Sequence, residues 1–596
     1  MSRAAANTAW SRSFADELAR AGVREIVLAP GSRSTPLVLA FARDGRFRMR
    51  VHLDERSAAF FALGVGRATG VPAAVVTTSG TAAANLLPAV VEASQSEVPL
   101  LLLTADRPHR LREGDANQAI DQVRLYGSYT RAFYEVAPPR LADEDLRHLR
   151  TLACRAVADA TVPGAGPVHL NFPFDKPLEP TEVPADFARA HALAAEGRPD
   201  GRPFVEVRAP RAAPSGAELD LLGRALATGE GVIVAGPSSE PERLGPAARA
   251  LAAATGFPLL ADALSGARFG PAQGAHVVAG FDLFLREPSA AERLAPSVIL
   301  RVGASPTSQA TLDWMVRHGS AKQIVIDDGA RWKDHGSTVE RYVRADATAA
   351  LEALASRVQR CAAPAWAAAW RAAEKATLEA VTASDGAAHE GDVWPAVLAA
   401  APSEGTVFVS SSMPVRELDA FGHPREAPLF VSGNRGASGI DGIVSTAFGV
   451  ASQRSGPSVC VIGDIAFFHD QNGLLWHREE GASVIFVLVD NDGGGIFHML
   501  PVAAHEPHFT PLVATPHGLD LRHAAALHGL ELTDVDITDL EGALRGALEA
   551  GRTTVLRVRT DRTENHARRR EITDAVKRRV HQAMTTITIP RENPER

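Results

Sequence analysis

Two polar turns in the last third of the chain carry residues whose types and spacing suit cation and phosphate chemistry. The apolar run PSVCVI (457–462) ends in Gly463-Asp464, and the run VIFVLV (484–489) ends in Asp490-Asn491-Asp492-Gly493-Gly494-Gly495. Asn491 follows Asp464 by 27 residues. That interval accommodates one helix and one return strand, so both residues emerge at the same edge of a parallel sheet. A carboxylate, an amide oxygen and a nearby backbone carbonyl, as at Gly493, are hard oxygen ligands. They suit Mg²⁺, with Mn²⁺ as an alternative, because such ions take few protein ligands and complete their shell from bound phosphates. The glycines let backbone approach a phosphate closely. The competing reading is two loop residues that merely close turns.

Other candidates also stand just after apolar runs. Glu55 follows RMRVHL (48–53) and opens a helical segment, where an acidic residue is equally at home in a first turn. Arg33, Arg107, Arg416 and Arg435 all lie in segments that follow predicted strands. Each offers a planar fork suited to carboxylates. Ser32 and Gln118 add neutral hydrogen-bonding groups beside them. Any one arginine reads equally well as a surface residue; four at strand ends do so less well.

The elements that must position these residues are legible from pattern. Short apolar, β-branched runs alternate with Ala/Leu-rich stretches: 24–29, 48–53, 73–77, 99–104 and 167–172; then 231–235, 257–261, 297–302 and 323–327; then 406–410, 428–432, 457–462, 484–489 and 553–558. Continuous apolar strands separated by helices predict α/β units, each a doubly wound parallel sheet covered on both faces. Such sheets bind ligands beyond the carboxyl ends of their strands. A Pro/Gly/Arg-rich stretch at 196–216 and a polar one at 384–392 read as breaks. Three α/β domains follow, at 1–195, 203–365 and 385–596. The basic segment from His566 to about Val580 reads as a solvated helix.

Composition excludes several classes. The 596 residues carry 62 Lys plus Arg against 70 Asp plus Glu, a net charge of −8, which is not the footprint of a nucleic-acid binder. No apolar run approaches the ~20 residues of a membrane span. The N-terminal stretch reads as an amphipathic helix rather than a signal peptide. The three cysteines, Cys154, Cys361 and Cys460, are dispersed. They form no CxxC pair and read as small buried hydrophobes of a reducing, cytoplasmic protein.

The Gly463-Asp464…Asn491 pattern resembles the diphosphate-binding motif of thiamine diphosphate enzymes, Gly-Asp-Gly followed by Asn at this distance; here Ile465 replaces the third residue. The three α/β units are similar to that superfamily's pyrimidine-binding, central and pyrophosphate-binding domains. The resemblance implies that Glu55 hydrogen-bonds the cofactor's aminopyrimidine nitrogen. It implies that Ile440 wedges between the two cofactor rings, and that Ser412, Met413 and Gly463 join the cofactor site. Five segments in order, LAPGSRSTPL (28–37), TADRPHRLREGDANQAIDQ (104–122), SSSMPVRELD (410–419), NRGASGIDG (434–442) and NDGGGIFHMLP (491–501), resemble the synthases of menaquinone biosynthesis that join 2-oxoglutarate to isochorismate.

That resemblance implies decarboxylation of 2-oxoglutarate and conjugate addition of the resulting succinyl carbanion equivalent to isochorismate. It implies active sites built between the chains of a homodimer or homotetramer. Both substrates are dianions approaching a diphosphate. Two unit charges about 4 Å apart repel by about 4 kcal/mol at an effective dielectric of about 20, so Arg33, Arg107, Arg416 and Arg435 are needed to offset them. Ile496, Phe497 and Leu500 form an apolar wall near the transferred group, or equally the core side of a helix start. Gln309 stands where relatives carry Lys, in what reads as a loop, and Ser411 where several carry Asn. Two other readings remain: a different thiamine diphosphate decarboxylase or carboligase, and a non-catalytic nucleotide-binding protein. Against the latter, the chain lacks a Gly-x-x-x-x-Gly-Lys-[Ser/Thr] loop.

Overall fold

Most of the apolar runs form strands that are buried on both faces; the strand Arg48–Val51 is the exposed exception. The computed structural model describes residues 2–208, 211–329, 331–384 and 386–587. Residues 209 and 210 of the expected first break, 385 of the second and 588–596 of the last expected domain lie outside the described residues. Among the described residues, eighteen strands make three six-stranded sheets, all parallel.

The first sheet holds β1 (Glu25–Leu28), β2 (Arg48–Val51), β3 (Ala73–Thr77), β4 (Leu100–Asp106), β5 (Ala132–Glu135) and β6 (Pro167–Pro173). The second holds β7 (Gly231–Ala235), β8 (Pro258–Ala261), β9 (His276–Val278), β10 (Val298–Val302), β11 (Lys322–Ile326) and β12 (Arg341–Val343). The third holds β13 (Gly405–Val409), β14 (Leu429–Ser432), β15 (Ser458–Gly463), β16 (Val484–Asp490), β17 (Leu532–Asp534) and β18 (Thr554–Arg559).

Strand order is the informative feature. The first sheet runs β2-β1-β3-β4-β6-β5 and the third β14-β13-β15-β16-β18-β17, the same order in both. Order reverses between β1 and β3 in the first, and between β13 and β15 in the third. Crevices at such reversal points are where open α/β sheets take ligands. The second sheet, β12-β11-β10-β7-β8-β9, reverses between β7 and β10. There backbone fills the crevice: Ala304 N donates to Pro237 O at 2.8 Å, and a Cβ on Gly236 would overlap the Ala304 carbonyl.

Contacts group the chain into two units. One comprises Met1–Pro210 with Asn434–Ser455 and His469–Ser483; the other comprises Arg211–Gly433, Gly456–Phe468 and Val484–Arg596. In the first unit, the helix Glu55–Thr69 packs on the helix Ile443–Ala451. Their backbones meet at Gly64 and Gly449, where any Cβ would overlap the opposing main chain. The second unit contains the second and third sheets. Buried Arg268 joins them: its guanidinium donates to Leu418 O, Asp419 O and Gly422 O, and to Asp419 Oδ1 at 2.6 Å.

Three expectations change. The basic tail is a helix, Arg562–Thr585, but not a solvated one: Asn565, Arg569, Ile572, Val576, Val580 and Met584 are buried. Its apolar members pack with Trp366 and Trp370 of the helix Pro364–Thr382. A stripe spaced by three and four residues was hidden among charges. The second polar break is likewise structured, since His389 and Glu390 are buried. Of the cysteines, Cys154 and Cys460 are buried but Cys361 is half-buried; all three are free thiols.

Candidate active site

The reversal point of the third sheet brings the two candidate cofactor segments together. Loops after β13 and β15 leave neighbouring strands side by side, and Ser410 N donates to Val461 O at 2.9 Å. Ser411, Ser412 and Met413 follow β13; Gly463 ends β15 and Asp464 opens the short helix after it. Ser412 adopts φ +70°, turning the chain into the helix Met413–Phe421. Arg416, one turn into that helix, donates Nη1 to Ser412 O at 2.7 Å.

Asp464 is 3% exposed. Its carboxylate receives the Ile465 N–H at 2.7 Å and the Gly493 N–H at 2.9 Å. Burial raises its pKa; these amides and His517 oppose the shift, and Asp490 adds to it. Gly493 adopts φ +145°, and a Cβ there would overlap Ala514 O. Asn491 is 7% exposed, and its Oδ1 is buried with no hydrogen-bond partner among the described residues. An orphaned acceptor costs about 1–3 kcal/mol, and a hard cation satisfies it. Carboxylate, orphaned amide oxygen and a glycine turn therefore fit a Mg²⁺-class ion.

Two neighbours lay outside the expected set. Oxygens of Asp464 and Asp490 and a ring nitrogen of His517 lie within 4.8 Å of one another. His517 Nδ1 accepts the Leu519 N–H at 3.0 Å, so Nε2 carries the proton it offers to Asp464 Oδ2 at 3.2 Å. Through that nitrogen the imidazole holds the carboxylate. Asp490 stands beside Asn491 in a visible motif. His517, far along the chain, gives no local signal.

Three further residues hold the Asn491 turn. Glu390 Oε1 accepts from Asn491 Nδ2 at 2.8 Å and from Thr560 Oγ1 at 2.9 Å. Arg562 Nη1 donates to the carbonyls of Asn491 and Asp492. Burial pushes the Glu390 carboxyl up to about 7, against the two hydrogen bonds. Glu390 was hidden inside a stretch that reads as a polar break.

The first sheet's reversal point gathers a second cluster. Arg33 is 5% exposed; its N–H donates to Thr78 Oγ1 at 3.2 Å and its Nη1 to Phe174 O at 2.9 Å. Ser79, next to Thr78, donates to Gln118 O at 2.9 Å and receives Gln118 Nε2 at 3.0 Å on its carbonyl. Arg107 donates Nε and Nη2 to Asn117 O. Arg33, Gln118 and Arg107 thus form one linked edge, with Ser32 exposed beside it.

Glu55 begins its helix but does not cap it. The cap is Asp54, whose side chain accepts from Arg56 N and Ser57 N. Glu55 itself lies in the helix's first turn, where an acidic residue also suits the helix dipole. Arg435 and Ile440, in the same unit, are half-buried. The backbone beside Arg435 is clamped by Glu92, which accepts from Gly436 N at 3.0 Å and Ala437 N at 2.8 Å.

Ile496, Phe497 and Leu500 follow the Gly493 turn, the first two in the 3-10 turn Gly495–Met499. Ile496 is half-buried, and Phe497 and Leu500 are 36% and 49% exposed, so the core reading fails for them. Gln309 is the first residue of the helix Gln309–Arg317, not a loop residue, because Ser308 caps that helix through Thr311 N. Its exposed amide donates to Asp313 Oδ1 at 2.8 Å.

Family models place the class. Residues 9–125 match the thiamine pyrophosphate enzyme N-terminal TPP binding domain, 202–409 the middle domain and 421–558 the C-terminal TPP binding domain. Fold, reversal-point clusters and these matches together define a thiamine diphosphate (thiamine pyrophosphate) enzyme.

Similar proteins narrow this further. The chain is 47% identical to 2-succinyl-5-enolpyruvyl-6-hydroxy-3-cyclohexene-1-carboxylate synthase of Halobacterium salinarum, over 96% of this chain and 98% of the relative. It is 44% identical to the synthase of the same name from Roseiflexus castenholzii, over 96% and 99%. The figure for that of Chloroflexus aurantiacus is 43%, over 97% and 98%. The chain belongs to the 2-succinyl-5-enolpyruvyl-6-hydroxy-3-cyclohexene-1-carboxylate synthase family.

Proposed function

We propose that the protein decarboxylates 2-oxoglutarate and adds the succinyl carbanion equivalent to isochorismate, releasing CO₂ and 2-succinyl-5-enolpyruvyl-6-hydroxy-3-cyclohexene-1-carboxylate for menaquinone biosynthesis. The observation that carries this reading at the site is the pair of neighbouring strand ends, β15 and β16, next to the third sheet's reversal point, where Asp464 and the orphaned Asn491 Oδ1 stand. Asp464, Asn491 and the Gly493 carbonyl would hold Mg²⁺ or Mn²⁺ against the cofactor diphosphate. Bound thiamine diphosphate supplies the nucleophilic carbon that attacks the keto group.

Glu55 exchanges a proton with the cofactor's aminopyrimidine nitrogen, and so acts as the catalytic carboxyl. Ser412, Met413, Gly463 and Ile440 line the cofactor. Arg33, Arg107, Arg416 and Arg435, with Ser32 and Gln118, bind the substrate carboxylates. Ile496, Phe497 and Leu500 shield the transferred group from water. Divisions at 1–195, 203–365 and 385–596 separate pyrimidine-binding, central and pyrophosphate-binding domains.

The site forms between chains of a homodimer or homotetramer, with Glu55 from one chain and Asp464 from another. Dispersed free thiols support a cytoplasmic location. Among the described residues, no helix is long and apolar enough to cross a membrane.

The test supplies Mg²⁺, thiamine diphosphate, 2-oxoglutarate and isochorismate and follows isochorismate loss. Turnover of pyruvate alone, with isochorismate untouched, would instead indicate a different thiamine diphosphate carboligase.

A further inference from the structure

We propose that Glu390 is a positioning residue that fixes which end of the Asn491 amide faces the cation. The inference rests on Asn491 being a metal ligand. A primary amide has two ends of similar shape, and only the oxygen can ligate a hard cation. Nothing intrinsic to Asn491 selects that end. Glu390 does. Its carboxylate, 3% exposed, accepts Asn491 Nδ2 at 2.8 Å. A flipped amide would set Oδ1 against Oε1, acceptor against acceptor, and turn the useless NH₂ toward the cation.

Two further elements hold Glu390, one at its carboxylate and one at its backbone. Thr560 Oγ1, just past β18, donates to the same oxygen at 2.9 Å. The Glu390 N–H donates to Asn565 Oδ1 at 2.9 Å, in the first turns of the C-terminal helix. Arg562, from that same helix, pins the Asn491 carbonyl. Both ends of residue 491 are therefore restrained, and Oδ1 is the atom left without a partner among the described residues. Ligand-orienting partners of this kind typically change metal affinity by about 10–100-fold when removed.

The test titrates Mg²⁺ calorimetrically into protein saturated with thiamine diphosphate. Glu390→Leu should weaken Mg²⁺ about 10–100-fold. Glu390→Gln, which keeps an acceptor at Oε1, should lose less than about fivefold. In an Asn491→Ala background, Glu390→Leu should add nothing, because the residue it positions is gone. A merely structural Glu390 would weaken Mg²⁺ equally in both backgrounds, and that result overturns the proposal. Unchanged Mg²⁺ affinity in Asn491→Ala would instead remove the metal reading of Asn491 itself. Should Glu390→Leu fail to fold, Glu390→Gln combined with Thr560→Val carries the test. That pair frees the new amide to flip, so about a fivefold or greater loss is expected and no loss overturns the proposal.

Discussion

The Gly493 N–H donates to Asp464 Oδ2 at 2.9 Å, so the turn after β16 is fastened to the carboxylate at the end of β15. That bond exists because residue 493 adopts φ +145°, where a Cβ would overlap Ala514 O. Gly493→Ala must either strain this turn, at about 1–3 kcal/mol, or release it. Thiamine diphosphate–Mg²⁺ affinity should fall about 10-fold or more, with the far-ultraviolet dichroism of the α/β sheets retained. Calorimetry of the variant checks this; unchanged affinity would detach the turn from cofactor binding.

A second prediction concerns the helix that presents Glu55. Its Gly64 lies against Thr446 O, Val450 N and Gly449 Cα of the helix Ile443–Ala451. Gly64→Val forces these backbones apart. Overpacking of this kind costs about 1–3 kcal/mol, so the thermal midpoint should drop by several degrees. An unaltered midpoint would show that the two helices tolerate separation.

His169 predicts a pH dependence. It is fully buried, with Tyr126 and Phe133 rings against it. Thr104 gives its hydroxyl proton to Asn171 Oδ1, so His169 Nε2 donates to Thr104 Oγ1 at 2.7 Å. The remaining Nδ1 is buried and has no partner among the described residues, and burial lowers the imidazole pKa from 6.5 to about 3. The unfolded chain therefore binds more protons between pH 3 and 6.5, and stability falls as pH drops through that window. The loss is complete only below the folded value. Going from pH 6.5 to 5.5, this histidine should cost about 1 kcal/mol. His169→Gln should lose about that much less over the same interval, measured by urea unfolding. Identical losses in both proteins would mean that His169 is not held neutral.

A fourth prediction concerns assembly. Glu55→Gln and Asp464→Ala chains should each be inactive. Mixed and allowed to exchange, they should form hybrids in which one of two sites carries both intact residues. For a twofold dimer with random exchange, activity should recover to about a quarter of wild type. No recovery, despite exchange proven by mass spectrometry, would mean that each site comes from one chain.

Fold and site were unequally legible in the sequence, and the physics of burial explains the difference. The fourteen runs that read as strands all form strands; all but β2, an exposed strand at the end of its sheet, are largely buried, and burial on both faces demands continuous apolar residues. The strands that pattern missed are β5, β9, β12 and β17, with sequences AFYE, HVV, RYV and LTD. Each lies at an end of its sheet, where one flank is unpaired and burial is partial. Such strands need no apolar run.

Candidate residues announced by strand ends and glycine turns, such as Asp464, Asn491 and Arg33, could be named from the sequence. Those that act through another side chain were not. Glu390 and His517 reach the site only through tertiary folding, and no spacing rule links them to Asp464. The tail helix misled because its buried stripe, from Asn565 to Met584, includes Asn and Arg among the apolar residues.

The most direct test of the central claim is the balance between the two substrates. Wild-type protein with Mg²⁺ and thiamine diphosphate should release one CO₂ from 2-oxoglutarate for each isochorismate consumed. Little CO₂ should form when isochorismate is omitted, and none with Asp464→Ala. Sustained CO₂ release with isochorismate left unconsumed, or isochorismate loss without 2-oxoglutarate, would contradict the account.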